Sequence, residues 1–210
     1  ELRSPVIAIT GTNGKSTTTA LTTHLLVTAG FDAASAGNIG IALSDIALRP
    51  QPPQWVVVEA SSFQLADIDT FAPKIGVLTN LSPDHLDRYP SVEAYYADKA
   101  RMFRNATPTS IWVLNAEDAA AMQLPGEADG RRRVFRVNTQ LTPQEEGGWI
   151  DAAGDLRIRI ASTETRLLHH TELRVLGDQP FIRLRGRVFR VAVDSGGSRP
   201  KGVSPASRSR

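Results

Sequence analysis

A short segment near the N-terminus contains the residue types that bind polyphosphate. Residues 10–17 read TGTNGKST and join an apolar run to a segment with helical periodicity. Glycine adopts positive φ angles at little cost, which lets backbone N–H groups point at an anion, and a helix N-terminus adds its dipole. Lys15 would reach the β- and γ-phosphates of ATP, and the hydroxyl of Ser16 would bind Mg²⁺. The predicted nucleotide contacts are Gly11, Thr12, Asn13, Gly14, Lys15, Ser16 and Thr17.

The spacing of this segment differs from the general phosphate-loop pattern G-x-x-x-x-G-K-[ST]. That pattern requires glycine at position 9, where the chain has Ile9, and Gly11 lies only three residues before Gly14. The alternative interpretation is a glycine-rich turn with an unrelated lysine. Because strand, loop and helix signals coincide, we interpret the segment as a variant phosphate loop.

Polar residues also follow two other apolar runs. The run at residues 55–59 ends in Glu59, and the run at residues 75–80 leads into a polar segment that contains His85. Ligands of open α/β sheets gather at the carboxyl ends of the strands, where a carboxylate suits Mg²⁺ and a histidine can bind metal or transfer a proton. Ordinary solvated loop residues are the alternative. The position of Glu59 beside a phosphate loop favours a metal ligand.

Lys99 and the three histidines other than His85 have simpler interpretations. Lys99 lies within a predicted helix that starts at Ser91 and runs to about residue 105, where a lysine is usually a solvated surface residue. His24 lies inside the first helix, while His169 and His170 lie in a late polar region. None of these three histidines is predicted to do chemistry.

The pattern along the chain predicts an α/β fold. Strands are expected at residues 6–10, 55–59, 75–80 and 111–115, and helices at residues 15–29, closed by Gly30, and 91–105. Strands that alternate with helices indicate a mostly parallel phosphate-loop sheet flanked by helices. Beyond about residue 130, alternating runs at 133–137, 156–160 and 172–176, with turns at 147–148 and 153–155, indicate a small antiparallel β extension.

Composition favours a soluble, cytoplasmic protein. Hydrophobic residues make up 41% and charged residues 22% of the 210 residues. No apolar run approaches the roughly 20 residues that span a bilayer, no signal peptide is recognisable, and the absence of cysteine excludes disulfides and thiolate metal sites. Residues 181–210 hold eight Lys/Arg and one acidic residue. We interpret them as a disordered basic tail, with nucleic-acid binding as the alternative.

Several motifs together resemble the Mur ligase family, the ATP-dependent amide-forming enzymes of peptidoglycan precursor synthesis. They are the variant loop at 10–17, GNIG at 37–40, EASSFQL at 59–65, NLSPDHLDRY at 80–89 and ADKAR at 97–101. The resemblance covers residues 5 to about 178. The resemblance is most detailed to the branch of the family that adds D-glutamate to UDP-N-acetylmuramoyl-L-alanine. Folylpolyglutamate synthases have a similar loop, so the loop alone does not choose between them.

The resemblance implies particular roles for five of these residues. Lys15 would hold the ATP phosphates, and Ser16 and Glu59 would bind one Mg²⁺. His85 would bind a second Mg²⁺. Lys99 would react with CO₂ to form a carbamate, which would supply an oxygen ligand to the second metal. Lys15, His85 and Lys99 would thus be catalytic.

The implied reaction begins at the terminal carboxylate of UDP-N-acetylmuramoyl-L-alanine, which attacks the γ-phosphate of ATP to give an acyl phosphate and ADP. The amine of D-glutamate then displaces phosphate and forms the amide. Asn38 and Ser61 would lie around the muramoyl substrate and the γ-phosphate. These two substrates are the expected partners of a monomeric enzyme, with no nucleic acid and no membrane.

The chain also departs from the family pattern at both ends. The resemblance implies a domain for the uridine nucleotide before the middle domain and a further domain after it, and neither is expected within these 210 residues, where only four residues precede Pro5. From Gln179 the resemblance ends, which suggests a middle domain at residues 1–178 and an aberrant tail at 179–210. The expectation is an ATPase domain with little or no ligation by itself. The alternatives are an NTPase without amide formation, against which residues 63–65 and 84–87 argue, and a non-catalytic nucleotide-binding module.

Overall fold

The computed structural model describes residues 2–172, together with the backbone of residues 174–175, 181–184 and 187–190. Its main sheet contains β1 Val6–Thr10, β2 Ala33–Gly37, β3 Trp55–Glu59, β4 Ile75–Leu78, β5 Ile111–Asn115, β6 Arg131–Arg136, β7 Gly147–Ile150, β8 Asp155–Ile160 and β9 Thr163–His169. The helices are α1 Lys15–Thr28, α2 Leu43–Ala47, α3 Ser62–Ala66, α4 Val92–Ala100 and α5 Ala119–Gln123. Single 3-10 turns follow at Arg101–Phe103 and His170–Glu172.

The strands of the main sheet lie in the order β2-β3-β1-β4-β5-β6-β7-β8-β9. All neighbours from β2 to β7 are parallel, and β8 and β9 extend the sheet in antiparallel fashion. The fold is therefore the predicted mostly parallel α/β sheet with an antiparallel end. Because β1 lies between β3 and β4, the carboxyl ends of these three strands meet at one edge, and the site is built there.

Burial explains why the central strands form where they do. Every residue of β1 is buried, and the apolar residues of β3 from Val56 onward are buried as well, as expected of strands covered on both faces. The larger core lies on the face that carries α2 to α5 and includes Trp112, which has no exposed surface. Gly76 makes room for that ring, since a Cβ there would come within 2.6 Å of it. A smaller cluster around Ile7 and Ile9 includes Leu26 of α1.

Most predicted elements of the first 115 residues are confirmed, with three omissions: the short helices α2 and α3, and strand β2. Helix α1 ends as predicted, with Gly30 at φ 93°, and α4 is capped by Ser91. Strand β2 was not predicted. Its residues, Ala33–Gly37, are small and contain no β-branched or aromatic side chain, so the sequence offers no strand signal there.

The expected architecture beyond residue 130 was wrong in three details. Strands β6 and β7 pair in parallel, because alternation of polar and apolar residues indicates a half-exposed strand but not its direction. Gly147 and Gly148 belong to β7 rather than to a turn; a Cβ at Gly147 would collide with the backbone of Val134. The partner of β8 is β9 at Thr163–His169, which was not predicted, whereas the strand predicted at 172–176 is found only at Arg174–Val175 and belongs to a separate sheet.

Three short strands, β10 Arg174–Val175, β11 Phe181–Leu184 and β12 Arg187–Arg190, form a separate antiparallel sheet. The remainder of the predicted tail at 179–210 lies outside the described residues, and its disorder stays a prediction. In the part of the chain that the structure describes, no helix is long and apolar enough to cross a membrane.

Candidate functional site

The predicted phosphate loop leads from β1 directly into α1. Gly14 occupies the N-cap position with φ 80°, a left-handed conformation, and its lack of a side chain leaves the helix N-terminus uncapped. Gly11 has φ 145°, and a Cβ there would lie 2.0 Å from Oγ1 of Thr79. Gly11 is thus required by a close contact and Gly14 is favoured by its positive φ, and the turn presents a helix N-terminus that can receive an anion.

The loop is fixed by the segment that follows β4. The amide of Thr12 donates to the carbonyl of Asn80 at 3.0 Å. The side chain of Asn80 accepts from the Asn13 amide at 2.9 Å and donates to the Asn13 carbonyl at 3.0 Å. The Ser82 amide donates to Oγ1 of Thr12 at 3.0 Å. The sequence motif pointed to this segment, but the role of Asn80 in holding the loop was not foreseen.

Two lysines contact the carbonyl groups of the loop. Nζ of Lys15 donates to the Thr12 carbonyl at 2.8 Å, and Nζ of Lys99 donates to the Gly11 carbonyl at 2.9 Å. Burial, reinforced by the charge of Lys15 and opposed by that of Asp84, lowers the pKa of Lys99 to about 7. A large fraction of the Lys99 amine is therefore neutral and nucleophilic near neutral pH.

The interpretation of Lys99 as a solvated surface residue was wrong, since it is 1% exposed. Its ammonium group lies 4.6 Å from the ring centroid of Tyr95. The buried residues Tyr95, Lys99, Met102 and Phe103 are spaced as one face of a helix. The position of Lys99 on this apolar face was a signal of burial in the sequence.

Glu59 is buried at the carboxyl end of β3, with 1% exposure. Its Oε1 accepts from Nδ2 of Asn38 at 2.8 Å, and its carbonyl accepts from the Asn38 amide at 2.9 Å. Its Oε2 is buried and has no hydrogen-bond partner. A buried carboxylate oxygen without a partner is unfavourable unless a cation or donor meets it. The structure thus brings Glu59 and Asn38 together and leaves one oxygen for a ligand.

His85 lies in the loop after β4, and its side chain is 44% exposed. Its backbone adopts φ 54°, which is uncommon for a residue with a Cβ. The ring lies 5.9 Å from that of Tyr95 and 5.3 Å from that of Phe63, and Nε2 lies 3.6 Å from a carboxylate oxygen of Asp84. His85 and Lys99 therefore both lie against the Tyr95 ring.

Two predicted serines occupy the first turns of helices. Ser16 is partly buried in the first turn of α1. Ser61 caps α3 in a reciprocal capping box with Gln64, whose backbone amide donates to Oγ of Ser61 at 3.2 Å. This local role was missed, although serine followed by glutamine three residues later is its sequence signature.

The other histidines lie away from the loop contacts described above. His24 is bonded to the hydroxyl of Thr28 within α1 at 3.0 Å, and the rings of His169 and His170 lie 4.5 Å apart. Among the described residues, no group of three or more His, Asp or Glu side chains could hold a metal ion. A metal ion bound by Glu59 would complete its coordination with hydroxyl, phosphate or water oxygens.

A cavity of about 280 Å³ opens beside Glu59. It is bounded by the ends of β2 and β3, by α2 and by α3, and its lining includes Gly37, Ala60, Leu43 and Gln64. The cavity places free volume next to the candidate metal ligand.

Comparison with known proteins decides the family. A profile of the Mur ligase middle domain matches residues 9–176, which is most of the chain. The chain belongs to the Mur ligase family. This Mur ligase chain is 43% identical over 148 residues to a UDP-N-acetylmuramoylalanine–D-glutamate ligase of Pelotomaculum thermopropionicum, covering 70% of this chain and 32% of the relative. It is 39% identical over 180 residues to the ligase of the same name from Syntrophotalea carbinolica, and this match covers 82% of this chain and 39% of that relative. The chain spans about a third of the length of the curated relatives it matches.

Solved structures agree with this membership at the level of the fold. A pseudomurein peptide ligase type C from Methanothermus fervidus superposes with a TM-score of 0.57 at 18% identity, covering 80% of the Mur ligase chain and 42% of that protein. A UDP-N-acetylmuramate:L-alanyl-gamma-D-glutamyl-meso-diaminopimelate ligase from Neisseria meningitides superposes with a TM-score of 0.55 at 20% identity. This superposition covers 79% of the Mur ligase chain and 55% of that protein.

Proposed function

We propose that the chain forms the ATP-binding and phosphoryl-transfer centre of a Mur ligase that adds D-glutamate to UDP-N-acetylmuramoyl-L-alanine. One observation carries the proposal: a loop with two positive-φ glycines and Lys15 opens onto the N-terminus of α1, next to the buried, half-satisfied carboxylate of Glu59. That combination suits a nucleotide with its metal. The choice of D-glutamate rests on the names of relatives that are 36–45% identical.

Glu59 and Ser16 are the proposed ligands of a Mg²⁺ ion that accompanies ATP. The unpartnered Oε2 of Glu59 fits this role, because a cation would offset the cost of burying that oxygen. Ser16 follows Lys15 in the first turn of α1, which supports its proposed role beside the phosphates. When bound, the ion would neutralise charge that accumulates on the β- and γ-phosphates.

Lys99 is proposed to react with CO₂ to form a carbamate. The burial that lowers its pKa supplies the neutral amine that this addition requires. The neutral amine adds to CO₂: a bond forms between Nζ and the carbon, one N–H proton leaves to solvent, and the neutral group becomes an anionic carbamate. Relative to the ammonium form, two protons are lost and a cation is replaced by an anion. The change removes the repulsion between Lys99 and Lys15, and the carbamate, with His85, would provide ligands for a second Mg²⁺.

The remaining steps follow from the site residues. Lys15 and the loop amides would hold the γ-phosphate while the carboxylate of the muramoyl-alanine attacks it, giving an acyl phosphate and ADP. The amine of D-glutamate would then displace phosphate. Asn38 and Ser61, at the same edge of the sheet, are proposed to contact the muramoyl substrate. We place this reaction in the cytoplasm, with a monomeric enzyme.

A domain exchange tests the proposed function. Residues 5–178 would replace the matched segment of the Syntrophotalea carbinolica ligase, which is 39% identical over 180 residues. We expect ADP formation that needs both UDP-N-acetylmuramoyl-L-alanine and D-glutamate and that Lys15→Ala abolishes. A folded hybrid that binds ATP but forms ADP equally well without D-glutamate, or with another amino acid in its place, would contradict the proposal. ADP formation with another amino acid in place of D-glutamate would favour another ligase of the Mur or folylpolyglutamate type.

A further inference from the structure

Asp118 lies just after β5, and its two carboxylate oxygens serve different segments. Oδ1 accepts from the Ala121 amide at 3.0 Å and thereby caps α5. Oδ2 accepts from the amide of Leu81, 37 residues earlier in the chain, at 2.7 Å. This short distance is typical of a charge-assisted hydrogen bond. Helix capping explains only the first contact.

Leu81 is the middle residue of the segment that fixes the phosphate loop. On one side, Asn80 accepts the amides of Thr12 and Asn13. On the other side, the Ser82 amide donates to the hydroxyl oxygen of Thr12. The bond from Leu81 to Asp118 therefore ties the centre of this three-residue segment to β5, the strand next to β4.

We propose that Asp118 is a positioning residue for the phosphate loop. It acts through Leu81, holding residues 80–82 so that the loop amides keep their orientation before the nucleotide arrives. Such preorganisation raises affinity because less ordering is left to occur on binding. The proposal rests on the proposed function insofar as the loop is taken to bind ATP phosphates.

The neighbouring carboxylate shows what a purely structural role looks like. Glu117 is exposed and accepts the backbone amides of Val137, Asn138 and Thr139, a loop that has no bond to the phosphate loop among the contacts described above. Glu117→Gln therefore removes a charge one residue away from Asp118 and serves as the matched control.

The test separates the two oxygens of Asp118. Asp118→Ser keeps a side-chain oxygen that can cap α5, since serine is a good N-cap, but loses the oxygen that reaches Leu81. We expect the affinity for MgATP to fall by about 10-fold, the size often found when a supporting contact behind a ligand is removed. In the nucleotide-free chain, amide exchange at Thr12 and Asn13 should become faster. Glu117→Gln should leave both quantities unchanged.

Two outcomes are diagnostic. Unchanged exchange at Thr12 and Asn13, together with unchanged MgATP affinity, would overturn the proposal. If the wild-type chain does not bind MgATP, the proposed function fails, while exchange still reports on the role of Asp118. Should Asp118→Ser fail to fold, Asp118→Asn replaces it: its oxygen can cap α5, but its NH₂ group then faces the Leu81 N–H, and the same acceleration is expected.

Discussion

Removal of the buried amine of Lys99 should change how stability depends on pH. The pKa of Lys99 is lowered from 10.5 to about 7, first by burial and then by the charge of Lys15. The unfolded chain therefore binds more protons than the folded chain between these values, and the stability contribution of Lys99 increases as pH rises through this window. At and below pH 6 the buried charge costs about 5 kcal/mol. Lys99→Met removes this cost and keeps an apolar stem of similar length.

The assay is urea unfolding at pH 6 and pH 9. Mg²⁺ is left out and the buffers are freed of CO₂, so that Lys99 remains an amine and does not form a carbamate. Relative to Lys99→Met, the wild-type chain should gain about 3 kcal/mol of unfolding free energy between the two pH values. Lys74→Met is the control, because it makes the same substitution at an exposed lysine instead of a buried one. An equal difference between wild type and Lys99→Met at both pH values would refute the reasoning.

Two further predictions concern the metal and the loop. Glu59→Gln should keep the hydrogen bond from Asn38 but lose the anionic oxygen. In calorimetric titration, the affinity for MgATP should therefore fall about 10-fold or more, while the affinity for metal-free ATP stays the same. An equal loss of both affinities would argue against Glu59 as a metal ligand. Gly11→Ala should lower the unfolding free energy by about 3 kcal/mol, because the added Cβ would collide with the Thr79 hydroxyl. A Cβ added at Gly14 has no atom within 4 Å, so Gly14→Ala should lower the unfolding free energy by only about 1 kcal/mol. Urea unfolding of both variants checks this, and equal losses would contradict it.

The parts of the site that depend on local sequence were predictable. The apolar run of β1, the loop glycines, Lys15 and the start of α1 are contiguous, so their signals reinforce one another. Glu59 was predictable because it ends an apolar strand beside a phosphate loop, and carboxyl ends of parallel strands share one edge.

The parts that depend on strand order and packing were not predictable. The bond from Asp118 to Leu81 exists because β5 lies next to β4, which no spacing in the sequence reveals. The burial of Lys99 had a signal, its place on the apolar face of α4, but the usual solvation of lysine outweighed it. The contact of Glu59 Oε1 with Asn38 depends on the pairing of β3 with β2, and the absence of a partner for Oε2 is visible only in the folded chain.

The central claim, that residues 11–17 form a nucleotide site that works with a metal, is tested most directly by calorimetric titration of the 210-residue chain with ATP, with and without Mg²⁺. The account predicts one site per chain, tighter binding when Mg²⁺ is present, and loss of binding in Lys15→Ala with no loss of fold. A folded wild-type chain that does not bind ATP, or a Lys15→Ala chain that binds it as tightly as the wild type, would contradict the account.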